Sequence, residues 1–217
     1  MIPAIILAAG RSTRMGRPKA VLRVGEDGPT FVERIVTTML EGGAADALVV
    51  GRPDDVALRG EVDRLQPRAR FVENPDADRG QLSSLLAGLN AADHPGTRAV
   101  VVTLVDLPLI TPATVSAVLS AFSSSGSPIV RAVHGGRHGH PVVFGRAVFQ
   151  DLRHADPAIG AKAVLRRRGA DVLDVEVDDP GVLLDVDVPE DYERLIRGQE
   201  AGRRQEHGGR TDSDADG

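Results

Sequence analysis

Four cationic side chains stand within nine positions near the start of the sequence: Arg11, Arg14, Arg17 and Lys19. The residues just before them, Leu7-Ala8-Ala9-Gly10, are small or apolar. Small residues let a backbone approach a ligand closely, and successive backbone N–H groups in such a turn can hold anionic oxygens. Residues 7–19 lack the Lys-Ser or Lys-Thr pair of a Walker A loop. Their types alone indicate either a phosphate-binding loop or a basic surface turn, with about equal weight.

A carboxylate, Asp106, follows the apolar residues 99–105 and precedes Pro108. A carboxylate at the end of a buried strand is well placed to bind a metal ion. Mg²⁺ prefers one or two carboxylates together with substrate phosphates. The alternative is that Asp106 only stabilises a turn, as aspartate often does.

A third polar segment contains Asn74 and continues through Gly80 to Ser83 and Ser84. Hydroxyl groups at the start of a helix can donate to a nucleotide, while the helix N-terminus favours its negative charge. The same serines could instead cap the helix, which is common.

Apolar residues recur with the periods of strands and helices around these segments. Short apolar runs predict strands at residues 2–7, 47–50, 70–73, 99–105, 129–133, 142–144 and 172–177. Helical spacing predicts helices at 54–65, 82–89, 112–122 and 189–196, and two short ones near Val148 and Val164. Thr30 and Glu33 form a capping-box pattern before a further helix, which Gly42-Gly43 ends.

Strands that alternate with helices predict a single α/β domain over residues 1–197, with a mostly parallel sheet between two helical layers. In such open sheets, ligands bind beyond the carboxyl ends of the strands. Gly10, Asn74 and Asp106 each come just after a predicted strand. We therefore expect the three segments to meet at one edge of the sheet. Residues 198–217 are polar and glycine-rich, and their composition predicts a disordered tail.

The composition excludes several functional classes. There are no cysteines, so disulfides, thiolate zinc sites and cysteine nucleophiles are excluded. A net charge of −5 and only 3 % aromatic residues disfavour nucleic acid as a partner. The apolar start is too short to span a membrane and lacks a basic leader, so we expect a cytoplasmic protein without a membrane partner.

Residues 7–19 resemble the signature of nucleotidyltransferases with a glycosyltransferase-A-like, Rossmann-like fold. They are most similar to the molybdenum cofactor cytidylyltransferase branch, which also begins Leu-Ala-Ala-Gly. The guanylyltransferase branch typically has glycine where this chain has Ala9. The resemblance extends over about residues 2–197 and implies a three-layer α/β/α sandwich.

Four further segments carry the resemblance. Residues 80–85 are similar to Gly-Met-Ser-Ser-Ser-Leu, although Gln81 and Leu82 depart from it; residues 185–191 are similar to Asp-Ile-Asp-Thr-Pro-Glu-Asp. Gly139-His140-Pro141 is similar to an acceptor-side loop, and residues 156–162 to Gly-Asp-x-Gly-Ala-Arg, with Lys162 in place of arginine.

The resemblance implies roles for these residues. The catalytic ones are Lys19, Arg14 and Asp106, and Asp106 with Asp187 would bind Mg²⁺; Asp185 is the alternative second ligand. His140 would bind the acceptor. Asp187 could also simply stabilise the start of the helix at Pro189. The nucleotide-binding set is Leu7, Ala8, Ala9, Gly10, Arg11, Lys19, Asn74, Gly80, Ser83 and Ser84.

The activity implied is transfer of a nucleoside monophosphate to a phosphorylated acceptor, with release of pyrophosphate. CTP is favoured over GTP, molybdopterin is the candidate acceptor, and a molybdoenzyme or its chaperone is a candidate protein partner. Guanylyl transfer and transfer to a sugar or alcohol phosphate remain alternatives. A nucleotide-binding regulator without catalysis is an alternative of another class.

Overall fold

The structure is a computed structural model that describes the backbone of residues 1–208 and the side chains of residues 1–198. Seven strands in the described part of the chain form one sheet. They are β1 (Ala4–Leu7), β2 (Ala47–Gly51), β3 (Ala69–Glu73), β4 (Ala99–Leu104), β5 (Ile129–His134), β6 (Arg137–Gly145) and β7 (Val172–Glu176). The helices are α1 (Phe31–Glu41), α2 (Val56–Arg64), α3 (Gln81–Ala92), α4 (Pro112–Ser125), α5 (Phe149–Arg153), α6 (Ala161–Arg167) and α7 (Pro189–Gly208).

The order of strands across the sheet is β3-β2-β1-β4-β6-β5-β7. β3, β2, β1 and β4 are parallel neighbours, and β5 is parallel to β7. β6 is antiparallel to both β4 and β5, since a short hairpin joins it to β5. The predicted mostly parallel sheet is confirmed.

The sheet is buried on both faces because alternate residues of each central strand point to opposite sides. On one face Ile6 and Val49 join the core formed with α1, α2 and α4. On the other, Ile5 and Val100 join the core formed with α3, α5 and α6. The molecule is therefore the predicted single-domain, three-layer α/β/α sandwich.

The predicted elements are all present, with shifted ends. Thr30 caps α1 by accepting a hydrogen bond from the Glu33 N–H at 3.3 Å, as its sequence pattern predicts. α4 continues past the predicted end at residue 122 through Ser125 and ends at Gly126, which has a left-handed conformation.

The C-terminal helix is longer than predicted. α7 runs to Gly208, past residue 197, so residues 198–208 differ from the disorder expected of them. The reason is that Gln, Glu and Arg, which have high helix propensity, recur at these positions. The rest of the predicted tail, 209–217, lies outside the described residues. Within the described part of the chain, no helix has both the length and the apolar character needed to cross a lipid bilayer.

Candidate active site

Three loops meet at one edge of the sheet because the strands before them are parallel. The Ala8 N–H donates to the Val50 carbonyl at 2.9 Å, and the Val105 N–H donates to the Leu7 carbonyl at 3.1 Å. The Asn74 N–H donates to the Gly51 carbonyl at 2.8 Å. The predicted convergence of these segments is confirmed, and parallel pairing is its physical cause.

A cleft of about 830 Å³ opens along this edge. Among the predicted site residues it is lined by Leu7, Ala8, Ala9, Gly10, Arg11, Lys19, Gly80, Ser84 and Asp106. Arg17, Arg52, Asp78 and Gln81 are among the other lining residues. The cleft thus joins the loop after β1, which we call the phosphate loop (residues 8–18), to the start of α3 and the end of β4.

Ser12 organises the phosphate loop. It has a φ of 50°, a left-handed conformation that is uncommon outside glycine. Its carbonyl accepts the N–H groups of Met15 (3.0 Å) and Gly16 (3.2 Å). Its hydroxyl accepts the Lys19 N–H at 3.2 Å, which fixes the backbone where the lysine leaves the loop. Sequence reasoning missed Ser12, because no local pattern marks a left-handed serine.

Lys19 lies between two carboxylates, Asp106, which lines the cleft, and Asp187, which is not among the lining residues. Its ammonium is 3.5 Å from Asp106 Oδ2 and also donates to Asp187 Oδ1. Arg14 donates to the other oxygen of Asp187 at 2.6 Å. Only 11 % of the Lys19 side chain is exposed, so water screens these charges weakly. The predicted catalytic and metal-binding residues are therefore brought together.

The two carboxylates have different proton affinities. Burial raises the pKa of the Asp106 carboxyl, against the opposing effect of the Lys19 charge. The hydrogen bond from Lys19 lowers the pKa of Asp187, and Arg14 lowers it further. Asp187 therefore stays ionised to lower pH than Asp106. Asp185, the alternative second ligand, is exposed to solvent.

This pair of carboxylates fits the requirements of Mg²⁺. Asp106 Oδ1 is buried and has no hydrogen-bond partner among the described residues, so it carries an unused lone pair beside the cleft. No group of three or more His, Cys, Asp or Glu side chains suited to a metal occurs in the described part of the chain. Mg²⁺ sites in proteins usually contain one or two carboxylates, and substrate phosphates and water complete the coordination, so two carboxylates are sufficient.

The other end of the cleft is also held by ion pairs. Asp78 accepts hydrogen bonds from Arg11 at 3.1 and 2.8 Å and pairs with Arg52. The hydrogen bond from Arg11 holds the pKa of Asp78 well below its usual range. Arg52 Nε also donates to the Ala9 carbonyl at 3.0 Å. Sequence reasoning missed Arg52, although it directly follows β2 and so had the same positional signal as Asn74.

Asn74 and Ser83 lie beside the cleft and are not among its lining residues. Asn74 is 2 % exposed, and its amide group donates to the hydroxyls of Ser83 and Ser84, each at 2.9 Å. Its Oδ1 accepts the Asp76 N–H at 3.0 Å. Asn74 thus joins the loop after β3 to the first turn of α3. Gly80, with a φ of 97°, begins that helix in a conformation that favours glycine.

His140 lies outside the cleft lining, near the end of β4. Its Nδ1 is 3.3 Å from the Val102 carbonyl, and burial lowers its pKa. Nδ1 therefore donates to this carbonyl from a neutral ring. Arg17 is held differently from the other loop cations, with its guanidinium 4.9 Å from the centre of the Tyr192 ring.

Comparison with known proteins agrees with this geometry. Residues 4–172 match the family described as the MobA-like NTP transferase domain. The chain is 27 % identical to the purine catabolism protein PucB of Bacillus subtilis over 209 residues, covering 89 % of this chain and 95 % of PucB. It is 27 % identical to the molybdenum cofactor cytidylyltransferase of Escherichia coli K12, covering 88 % and 93 % of the two chains.

A solved structure has the same fold. The complex of Rv0371C from Mycobacterium tuberculosis with manganese superposes with a TM-score of 0.70 at 28 % identity, covering 90 % of this chain and 98 % of that one. The match to the family spans most of the chain, and the phosphate loop and Asp106 lie within it. The chain belongs to the MobA-like NTP transferase family, and it is a nucleotidyltransferase by that membership.

Proposed function

We propose that the enzyme transfers CMP from CTP to a phosphorylated small-molecule acceptor, with molybdopterin as the favoured acceptor. The observation that carries this proposal is the position of Lys19 between Asp106 and Asp187, beside a cleft whose volume of about 830 Å³ lies in the range of sites for small-molecule ligands. Such a cluster offers both cationic and anionic groups to a metal-nucleotide complex. Nucleotidyl transfer requires mainly positioning and charge neutralisation from the protein.

In the proposed reaction, an oxygen of the acceptor phosphate attacks the α-phosphorus of the nucleotide. A new P–O bond forms, the bond between the α- and β-phosphates breaks, and pyrophosphate leaves. Lys19 and Arg14 stabilise negative charge on the α-phosphate and the leaving group. No general base is needed, since a phosphate acceptor is already ionised near neutral pH.

Asp106 and Asp187 would hold Mg²⁺. A bound ion would supply charge neutralisation at the phosphate oxygens. The unpartnered Asp106 Oδ1 supports this assignment. The manganese complex of Rv0371C supports a divalent ion in general. Lys19, whose ammonium contacts both carboxylates, would neutralise nucleotide phosphates that are bound beside them.

The preference for cytosine rests on the loop residue Ala9. Ala9 lines the cleft and is buried, and Arg52 holds its carbonyl in place. The preference follows from the resemblance of Leu7 to Gly10 to the cytidylyltransferase branch, since the guanylyltransferase branch typically has glycine at the position of Ala9. The similarity to a cytidylyltransferase over most of both chains points the same way.

The acceptor would lie on the side of Asp106 that faces β6, the strand that contains His140. Its neutral ring could accept a hydrogen bond from the acceptor through Nε2, because Nδ1 is bound to Val102. Lys162 stands in place of the arginine, and its ammonium offers phosphate a point charge without the bidentate hydrogen bonds of a guanidinium. We propose that a molybdoenzyme or its chaperone receives the product.

The decisive experiment measures pyrophosphate release from each of the four nucleoside triphosphates, with and without molybdopterin. We expect release from CTP that depends on molybdopterin and Mg²⁺. Preferential release from GTP, or release only with sugar or alcohol phosphates, would replace the proposed substrates. Tight nucleotide binding without release for any acceptor would instead identify a regulator.

A further inference from the structure

Asp191, in the first turn of α7, binds the backbone of the residue that carries the second site carboxylate. Its Oδ2 accepts the N–H of Asp187 at 3.0 Å and the N–H of Val188 at 3.1 Å. Its other oxygen pairs with Arg194 on the solvent side. The Asp191 side chain is 19 % exposed, so the two amide contacts are partly protected from water.

The amides of three consecutive residues are held in this segment. The Val186 N–H donates to the carbonyl of Asp106 at 2.9 Å, and the next two amides donate to Asp191. Val186 itself is buried. The backbone of Asp187 is thus fixed on one side to Asp106 and on the other to α7. This fixes the direction in which its side chain leaves the chain.

An acidic residue in the first helical turn often binds the free amides before it, and this stabilises the helix start. The contact with Asp187 has a further consequence here, because the Asp187 carboxylate contacts both Lys19 and Arg14. Loss of the Asp191 contact would let residue 187 rotate away from both cations and from Asp106. The charge cluster would then lose its defined geometry while α7 could still form.

We propose that Asp191 is a positioning residue that holds the Asp187 carboxylate in place for metal-nucleotide binding. This inference rests on the proposed function of the cleft. The Asp191 carboxylate binds the backbone amides of Asp187 and Val188 and the side chain of Arg194, so it reaches the charge cluster only through Asp187. Outer partners of metal ligands typically change metal affinity by about 10- to 100-fold when they are removed.

The test compares wild type with Asp191→Ala, Asp191→Asn and Arg194→Ala. Asparagine keeps an oxygen that can accept the two amides, whereas alanine keeps none. Arg194→Ala is the matched control, because it removes the partner of the other oxygen and leaves both amide contacts. Thermal unfolding and amide exchange at residues 187 and 188 establish that each variant is folded and whether the contacts are lost.

The main readout is Mn²⁺ affinity, measured by electron paramagnetic resonance with the non-reacting nucleotide α,β-methylene CTP. We expect Asp191→Ala to weaken Mn²⁺ binding by about tenfold or more. The Mn²⁺ concentration for half-maximal pyrophosphate release should rise by the same factor. Asp191→Asn should recover most of the loss, and Arg194→Ala should stay within about twofold of wild type.

Two results would overturn the inference. One is that Asp191→Ala binds Mn²⁺ as tightly as wild type although the amides of residues 187 and 188 exchange freely. The other is that Arg194→Ala loses as much Mn²⁺ affinity as Asp191→Ala does. If wild type binds Mn²⁺ but releases no pyrophosphate, the proposed reaction fails while the binding comparison still decides the role of Asp191. If wild type with the nucleotide analogue binds no Mn²⁺, both the metal site and the positioning role are wrong.

Discussion

The cations of the phosphate loop and Lys19, which follows it, are each held by another group of the protein in the nucleotide-free structure. Lys19 and Arg14 share Asp187, Arg11 pairs with Asp78, and Arg17 rests on Tyr192. A nucleotide must therefore compete with carboxylates for the guanidinium and ammonium groups. We assign two of these cations, Lys19 and Arg14, to catalysis. The Lys19 side chain is the more buried of the two, so water screens its charge less and we expect it to contribute more to the reaction.

Replacing Lys19 by alanine should lower kcat by about 100- to 1,000-fold, since it removes a preorganised positive charge from the reacting phosphates. Pyrophosphate release at saturating nucleotide measures the effect, and thermal unfolding should change little. Arg64→Ala is the control, because it removes a cation from the exposed end of α2. Near-normal turnover of the Lys19 variant would remove this residue from the mechanism.

A histidine makes a pH-dependent contribution to stability. Burial lowers the pKa of His140 from its ordinary value of 6.5. Below about pH 6.5, His140 takes up a proton in the unfolded chain but not in the folded one. The free energy of unfolding therefore decreases as the pH is lowered from about 6.5 to the lower pKa of the folded state. The loss is at most about 1.4 kcal/mol per pH unit from this group.

His140→Asn should lessen this acid sensitivity, since asparagine can still donate to Val102 but does not titrate. Urea unfolding at pH 7.5 and at pH 5.5 gives the comparison. We expect the wild type to lose more free energy of unfolding between the two pH values than the variant does. Equal losses would mean that His140 titrates alike in the folded and unfolded chain.

At the scale of elements, α3 must lie close to the sheet for its first turn to reach the cleft. Gly88 allows this approach, because a Cβ there would come within 2.5 Å of the Ile5 side chain on β1. Gly60 on α2 has no neighbour within 4 Å of such a Cβ. The two helical glycines therefore form a matched pair.

Gly88→Ala should destabilise the protein by about 1–3 kcal/mol through overpacking. Gly60→Ala should stabilise it by about 0.5–1 kcal/mol through helix propensity. Chemical denaturation measures both. Equal effects at the two positions would show that α3 can shift away from β1 without cost.

The loop before α3 depends on Asn74, whose side chain makes three hydrogen bonds while almost fully buried. Asn74→Ala leaves buried polar partners unsatisfied and should cost about 1–3 kcal/mol of stability. It should also raise the KM for the nucleotide, because Gly80 and Ser84 line the cleft. Asn90→Ala, at an exposed position of the same helix, should change neither quantity appreciably.

At the scale of the whole molecule, the charge cluster is assembled from three distant parts of the chain. Lys19 and Asp187 are 168 positions apart, and the turn after β4 supplies Asp106 between them. A ligand that bridges these parts stabilises the folded state by mass action. On the proposed function, metal and nucleotide together would bridge more of these parts than either would alone.

Removal of the metal should therefore weaken the stabilisation that CTP gives. We expect CTP with Mg²⁺ to raise the melting temperature more than CTP with EDTA does, and turnover to require the metal. Asp106→Asn should remove the difference between the two conditions. The same melting temperature with and without Mg²⁺ would contradict a metal site at these carboxylates.

The sequence by itself determined the layers and the edge at which the loops meet. Apolar runs such as residues 99–105 and the helical stripe in α3 have local periods that strands and helices require. Parallel strands then bring Gly10, Asn74 and Asp106 to one edge. The ends of α4 and α7 were less predictable, because serine and glycine continue or stop a helix according to their surroundings.

Only the tertiary structure decided which charges face each other. Nothing near Lys19 in the sequence indicates that Lys19 and Arg14 will share the Asp187 carboxylate, or that Asp78 will join Arg11 to Arg52. The tertiary structure also decided that Asn74 lies beside the cleft and donates hydrogen bonds to the two serines in the first turn of α3. Periodicity reports only on neighbours along the chain, whereas these contacts join residues that come together when separate strands and helices pack.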